Sequence, residues 1–402
     1  MSSSQPSEPP LSPASDASRA AAIGVVGGGQ LALMLAEAAE AIGITVHVQT
    51  PSTEDPAVQV AGSLVQAGLQ DGQATAELAA RCRAITFENE WINLPALRAL
   101  ETSGVRFVPS LQALEPLLSK RSQRVWLERL RLPSPRWCEL PALGERLPEW
   151  MSFPLMAKAD RGGYDGKGTA VIQSPAELAA LQRRFGAADW YLEELVTFEH
   201  ELAISVARDD SGQVEVWPLA LTHQHHQVCD WVLTPAPVSH AVQAFARNIA
   251  RSLVTALDYV GVLTLELFYG PAGLQVNEIA PRTHNSAHVT IETSRTSQFT
   301  QQARIVAGWP LADPSPTSSG GLMLNLLGFA SSEQDHHLAL ERLAALPGCR
   351  IHWYGKTGQT LGRKLGHVSF VLEPPVAQDR REQAQQLIES VREIWPLPLE
   401  SA

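Results

Sequence analysis

Along its first third the chain alternates short apolar runs with longer segments whose apolar residues recur every three or four positions. That is the pattern of strands alternating with helices. Residues 23–26 predict a strand, Gly27, Gly28 and Gly29 a turn, 30–42 a helix closed by Gly43, and 44–48 a second strand. Helices are predicted at 75–83 and 95–102, with strands at 84–87 and 105–109. Strands joined through helices make a parallel sheet, because parallel neighbours need a crossover. This α/β unit spans 21–119.

The pattern then changes. A helix at 119–130 leads to strands at 154–158, 169–172 and 191–194 around a helix at 175–185. Strands at 201–207, 214–221, 262–268 and 274–279 follow, with a long helix at 239–257, so that 120–308 reads as two α+β layers facing one another. The last unit, 309–402, holds β-like pieces at 322–326, 351–354 and 367–372 and an amphipathic helix at 376–394. Residues 1–20 are rich in Ser, Pro and Ala without an apolar core. They predict a disordered extension rather than a secretory signal, with a plastid-type transit segment as the alternative, disfavoured by Glu8, Asp16 and a single Arg.

Composition narrows the functional classes. The 402 residues are 45% hydrophobic and only 18% charged, and 31 basic against 42 acidic residues leave a net charge of −11. A general nucleic-acid binder needs a basic face to displace counterions, so that class is excluded, whereas a small anionic ligand held by a local cluster is not. No apolar run approaches the ~18 residues of a membrane span. Cys82, Cys138, Cys229 and Cys349 lie far apart with no CxxC pair, which argues against a disulfide scaffold or zinc module and for a reducing, cytoplasmic setting.

Six clusters carry candidate chemistry. Gly27-Gly28-Gly29-Gln30-Leu31-Ala32 fits a strand–loop–helix whose backbone N–H groups could approach a phosphate. The second strand ends at Gln49-Thr50 without the acidic residue a nicotinamide site wants, which leaves a small phosphorylated ligand or a tight structural turn. Lys158 leads into a loop with Gly162, Gly163, Gly166 and Gly168 and the cations Arg161 and Lys167, suited to phosphate oxygens although not a Walker A sequence. Glu266 and Glu278 are isolated charges in two apolar strands joined by the turn Gly270-Pro271-Ala272-Gly273. Antiparallel pairing could put both on one face, where two carboxylates plus phosphates suit Mg²⁺; two solvent-facing strand residues are the alternative. Arg282, His284, Asn285 and Ser286 form a polar loop able to bind an anion, and Lys356, Arg363 and Lys364 a local basic cluster. His223, His225 and His226 invite either a zinc or a nucleotide-contact reading.

The ordered set resembles the ATP-grasp superfamily, and within it the N5-carboxyaminoimidazole ribonucleotide synthase family. The resemblance rests on the Gly-Gly-Gly-Gln-Leu loop, Thr86-Phe87-Glu88, Gly163-Tyr164-Asp165-Gly166-Lys167-Gly168, Glu193-Glu194-Leu195-Val196 with Glu201, Asn277-Glu278 through Ser286, and Trp353-Tyr354-Gly355-Lys356 with Arg363-Lys364. It covers residues 23–370 and departs at Ala287, where the family commonly has Gly. It implies three domains: a parallel α/β domain, a central ATP-grasp and a small C-terminal α/β piece. The implied ligands are ATP, Mg²⁺, bicarbonate and aminoimidazole ribonucleotide, and the implied assembly is a homodimer. By this likeness Lys120, Lys158, residues 163–168, Glu193, Glu194, Leu195, Val196, Glu201, His226, Asn277 and Glu278 would bind ATP, and Glu266 and Glu278 the metal. Gln30, Glu88, Tyr164, Asp165, His284, Asn285, Ser286, Lys356, Arg363 and Lys364 would surround the ribonucleotide. Arg282 and Lys158 would be catalytic. Another ATP-grasp ligase, an idle nucleotide-binding protein and a dinucleotide oxidoreductase are the rival readings.

Overall fold

The computed structural model describes residues 22–163, 168–185, 189–329, 333–357 and 361–398. The N-terminal extension and Tyr164, Asp165, Gly166 and Lys167 lie outside the described residues. Three sheets follow one another along the chain. The first comprises β1 (Ala22–Val26), β2 (Thr45–Thr50), β3 (Ser63–Gln66) and β4 (Ile85–Phe87), all parallel in the order β3-β2-β1-β4. β1 is buried along its whole length, as a strand covered on both faces must be. The expected strand at 105–109 reduces to a single parallel bridge between Ile85 and Phe107, since the chain turns at once into Pro109. β3 is a short edge strand that its polar Ser63 and Gln66 conceal from a hydrophobicity pattern.

The second sheet comprises β5 (Trp137–Glu139), β6 (Leu155–Ala159), β7 (Thr169–Ile172) and β8 (Trp190–Glu194), antiparallel in the order β5-β8-β6-β7. The helix Pro175–Phe185 covers it through Leu178 and Leu181. The third sheet has nine strands. They are β9 (His200–Arg208), β10 (Val214–Val216), β11 (Ala220–His225), β12 (Val228–Thr234), β13 (Gly261–Gly270), β14 (Gly273–Ala280), β15 (Gly320–Leu327), β16 (Arg350–Trp353) and β17 (Lys364–Leu372). Its order is β14-β13-β9-β11-β12-β15-β17-β16, with β10 paired to β9, and every pairing is antiparallel. The sheet therefore runs without a break across position 308.

The expected strand at 214–221 is two strands, β10 and β11, split at Trp217-Pro218 because a proline has no N–H to give the ladder. β12 escaped the pattern for a different reason. It is closed against β11 by His226 and Gln227, both at positive φ (48° and 66°), the geometry of a tight hairpin turn usually signalled by Asn-Gly. The long helix His240–Ala256, N-capped by Ser239, packs Ala246, Ile249, Ala250, Leu253 and Val254 onto β9 and β13. The helix Gln298–Val306 packs Phe299, Ala303 and Val306 against the helix Gln30–Glu40 and so binds the first sheet to the third.

Candidate active site

The carboxylate pair is built by a slip in register. β13 and β14 pair Gly270 with Gly273 and continue to Leu267 opposite Val276, but the next pair is Glu266 with Glu278. Asn277 is thus the extra residue of a β-bulge; without it Glu266 would face Asn277. The helix Lys120–Arg129 holds β14 in this register. Gln123 donates Nε2–H to the Ile279 carbonyl (2.9 Å) and accepts from Ile279 N–H (3.0 Å). Arg124 donates to the Val276 carbonyl (2.7 Å) and to the Asn277 carbonyl.

Arg124 also forms an ion pair with Glu193 (2.5 Å), whose other oxygen meets Lys158 Nζ at 2.8 Å; both Arg124 and Glu193 are 2% exposed. Lys158 Nζ donates to Asn277 Oδ1 as well (2.9 Å). Burial pushes the Lys158 ammonium below its ordinary pKa against the pull of Glu193, with Arg124 pushing the same way as burial. Burial alone would raise the Glu193 carboxyl, but Arg124 and Lys158 together hold it below the usual range. Lys120, at the start of its helix, reaches Glu278 Oε2 at 2.9 Å. Asp160 fixes that helix start by accepting from Ser119 Oγ (2.5 Å) and Arg121 N–H (3.0 Å). Burial and the facing Glu278 push Glu266 up to about 7, whereas at Glu278 burial is opposed by Lys120, Lys158 and Arg282, which together hold it below the usual range.

A large cavity, open to solvent, collects these groups. Lys158, Glu201, Glu266, Asn277 and Glu278 line it from the second and third sheets, Lys120 and Gln30 from the starts of their helices, and Glu88, Gly163, Arg282, His284, Asn285 and Lys364 also line it. Arg282 is held by Glu90 (3.1 Å) and donates to the Thr283 carbonyl (3.1 Å). His284 places Nε2 3.4 Å from Glu266 Oε1 and Nδ1 2.9 Å from Ser286 Oγ. Burial, then Arg282 and Lys364, keep this imidazole neutral, well below its ordinary pKa. The Asn285 side chain exchanges amide hydrogen bonds with Asn325 (2.9 and 2.7 Å), which ties the loop to β15.

Other expected residues stand elsewhere. In the glycine-rich loop several of the N–H groups that could cradle a phosphate are already taken. Glu88 accepts from Gly29 N–H (2.7 Å), Leu31 N–H (3.0 Å) and Ala32 N–H (3.3 Å), an internal carboxylate at the positive end of the helix Gln30–Glu40. A Cβ at Gly29 would lie 2.6 Å from Glu88 Oε1 and one at Gly27, at φ +134°, 2.4 Å from Glu88 Cβ, so close approach of this carboxylate dictates the glycines. The Glu193 carboxylate, expected to bind ATP, is committed to Arg124 and Lys158. Glu194 accepts from Arg136 N–H (3.0 Å), and neither it, Leu195 nor Val196 is among the cavity-lining residues. His226 is exposed in its turn, while the neighbouring Gln224 and Gln227 line the cavity. Among the described residues no group of three or more His, Cys, Asp or Glu could hold a metal, against a zinc reading of the histidines. Ser286 faces a second cavity behind the loop. Of the basic cluster only Lys364 lines the main cavity; Lys356 donates to the Lys364 carbonyl (2.8 Å) and Arg363 to the Thr357 carbonyl (3.0 Å). Gln123 and Arg124 escaped the sequence reading; their one signal is polar groups on the same helical face as Leu127.

Two antiparallel sheets clasping a cleft with paired carboxylates and buried lysines, preceded by a parallel α/β unit, define an ATP-grasp protein. Residues 125–299 match the ATP-grasp domain, 20–116 the ribonucleotide synthetase preATP-grasp domain, and 321–381 the phosphoribosylaminoimidazole carboxylase C-terminal domain. The chain is 47% identical over 378 residues to the N5-carboxyaminoimidazole ribonucleotide synthase of Synechococcus elongatus, covering 94% of this chain and 96% of that protein. It superposes with a TM-score of 0.82 and 30% identity on the crystal structure of the synthetase from Thermus thermophilus, covering 94% and 100% of the two chains. The N5-carboxyaminoimidazole synthase from Aspergillus clavatus in complex with ADP and 5-aminoimidazole ribonucleotide gives the same TM-score and identity over 93% and 99%. The chain belongs to the N5-carboxyaminoimidazole ribonucleotide synthase family.

Proposed function

We propose that the protein carboxylates 5-aminoimidazole ribonucleotide to N5-carboxyaminoimidazole ribonucleotide, consuming ATP and bicarbonate, in purine biosynthesis. One observation carries the reading. A single cavity brings Lys120, Lys158, Glu266 and Glu278 together with Gln30, Glu88, Arg282 and His284. The first group suits nucleotide phosphates, and the second suits an anion and a polar heterocycle.

Bicarbonate is a poor electrophile, so one of its oxygens first attacks the γ-phosphorus of ATP and ADP leaves. The exocyclic amine of the ribonucleotide then attacks the carboxyl carbon of the acyl phosphate, or CO₂ released from it; inorganic phosphate departs and the amine gives up a proton. Phosphoryl transfer is helped mainly by positioning and charge neutralisation. Lys158 supplies both, held rigid by Glu193 and Asn277, and Lys120 adds a second cation beside Glu278. Glu266 and Glu278 are the residues that would hold Mg²⁺, which neutralises phosphate charge. Two carboxylates, with no third His, Cys, Asp or Glu grouped with them among the described residues, fit an ion that draws its remaining oxygens from phosphates and water. Arg282 steadies the acyl phosphate. His284, kept neutral, can donate a hydrogen bond without adding charge. Lys364, braced by Lys356, faces the ribonucleotide phosphate.

The test is ADP release with Mg-ATP and bicarbonate, with and without the ribonucleotide. Stimulation stoichiometric with carboxylation is expected; nucleotide binding without stimulation would refute the acceptor. Arg282→Ala should lose product formation while keeping ATP affinity, and equal loss of both would remove Arg282 from this role. The proposal includes a cytoplasmic homodimer, which light scattering at micromolar concentration would test.

A further inference from the structure

Arg282 stands two residues beyond β14, on the loop that carries His284 and Asn285. Its guanidinium is gripped without being used up. Nη1 donates to the Thr283 carbonyl (3.1 Å), and Nε lies 3.1 Å from Glu90 Oε1. That Nε–H is buried and not aligned for a hydrogen bond, and Nη2 donates none among the described residues. The contact with Glu90 is therefore one of charge, and donors remain for an anion. Of the carboxylates that favour the charged guanidinium, Glu90 acts most strongly, ahead of Glu278 and Glu88. Those two are engaged elsewhere: Glu278 pairs with Lys120, and Glu88 accepts from three backbone N–H groups. Among the described residues Arg282 is the one cation within ion-pair distance of Glu90.

The two charges come from different units of the chain. Glu90 lies between β4 and the helix Leu94–Thr102, anchored two residues earlier by Glu88, and its carbonyl accepts from Ile92 N–H (3.0 Å). The side chains of Arg282 and Glu90 are 23% and 26% exposed, and both line the main cavity. A long arginine side chain left to swing would meet a short-lived acyl phosphate only part of the time. One docked on a fixed carboxylate is in place beforehand, so no reorganisation is needed when the intermediate forms. We infer that Glu90 is the positioning residue for Arg282, holding the guanidinium in the cleft so that the carboxyl group passes to the amine and not to water. This deepens the carboxylation reading above and rests on it.

The test is the ratio of ADP to carboxylated product in full-length Glu90→Gln, which keeps the shape of the side chain and removes its charge. Acyl phosphate lost to water returns bicarbonate and phosphate, so a misplaced Arg282 yields ADP without product. In Glu90→Gln product formation should fall roughly tenfold or more, with the KM values for ATP and ribonucleotide each within about twofold. ADP made per product should rise roughly threefold or more above the wild-type ratio. The ion pair is partly exposed, so Tm should move by no more than about 4 °C. Glu90→Asp, which keeps the charge on a shorter arm, should stay closer to the wild-type ratio than Glu90→Gln does. Unchanged kinetics in Glu90→Gln overturn the inference, as does an equal fall in ADP and product. A raised ribonucleotide KM with kcat kept overturns it too, since Glu90 would then touch the acceptor itself. If Glu90→Gln fails to fold, Glu90→Asp decides: a ratio shifted roughly threefold or more there, with the charge retained, overturns the inference, and a ratio kept near the wild type supports it. The two readings fail separately. Wild-type ADP release that ignores the ribonucleotide refutes the function, whereas a stimulated wild type with a fully coupled Glu90→Gln refutes only the positioning role.

Discussion

Replacing Arg124 by Met is the sharpest test of how this site is held. The guanidinium is 2% exposed, pairs with an equally buried Glu193, and caps the carbonyls of Val276 and Asn277. Met fills a similar volume but supplies no donor. Removing one partner of a buried ion pair costs about 3–5 kcal/mol, much of it the desolvation of the groups left behind. Lys158 still faces Glu193, which keeps the expected loss toward the lower end, while two buried carbonyls stripped of a donor add about 1–3 kcal/mol each if no water replaces it. An unfolding cost of about 5 kcal/mol, the low end of that sum, corresponds to roughly 10–20 °C in Tm for a unit of this size. The second consequence is local. Asn277 is the bulge residue, so Arg124→Met relaxes the slip that puts Glu278 opposite Glu266, and the Mg²⁺ concentration for half-maximal ADP release should rise more than tenfold, on the order of 1.4 kcal/mol or more. Differential scanning calorimetry and a Mg²⁺ titration read the two effects. A variant destabilised by less than about 1 kcal/mol, or one that is unstable yet keeps its Mg²⁺ dependence, would refute the bracing argument.

Three further outcomes follow from the geometry. Gly29→Ala drives a Cβ to within 2.6 Å of Glu88 Oε1 and should cost about 2 kcal/mol by displacing the cap; Glu88→Ala removes the obstacle, so the double variant should be markedly less destabilised than the sum, and additivity in urea unfolding would count against the clash. His367 is fully buried and its folded pKa is depressed by burial and by His288 and His352, so the native state carries fewer protons than the unfolded one. Its stabilisation is complete above the unfolded value of 6.5 and is lost as pH falls; His367→Gln should reduce the acid-side slope of stability by about 1.4 kcal/mol per pH unit, and an unaltered slope would contradict the assignment. Lys158→Met should weaken ATP binding at least tenfold in calorimetric titration, and unchanged affinity would place the phosphates elsewhere.

Much of the site was legible in the sequence because it is local. Glu266 and Glu278 flank one turn, and an isolated charge in an apolar strand announces itself. The bulge that makes them partners was not legible, since the strands alone place Glu266 against Asn277. Arg124 was hidden because its partners lie on β8 and β14, far along the chain, and only the tertiary fold brings them within reach. His226 drew a ligand reading from its neighbours when its backbone serves a turn. The glycine-rich loop showed a helix start that could hold an anion. That the anion would be the protein's own Glu88 depends on β4 lying next to β1, a fact of topology.

The unbroken nine-strand sheet has a consequence for the birth of the molecule. The strands bearing Glu266 and Glu278 are made well before β15 and β17, yet they belong to the same hydrogen-bonded ladder, and β12 finds its second neighbour only when β15 arrives. On the ribosome the nascent chain must wait with a bare strand edge, a state prone to mispairing and attractive to chaperones. Ribosome-stalled chains ending before Gly320 should be cleaved by protease within the third sheet, and chains released past Leu372 should resist. Since Lys364 is also among the last residues delivered, completing the sheet and completing the cavity are one event, and a prematurely ended chain exposes its own incompleteness.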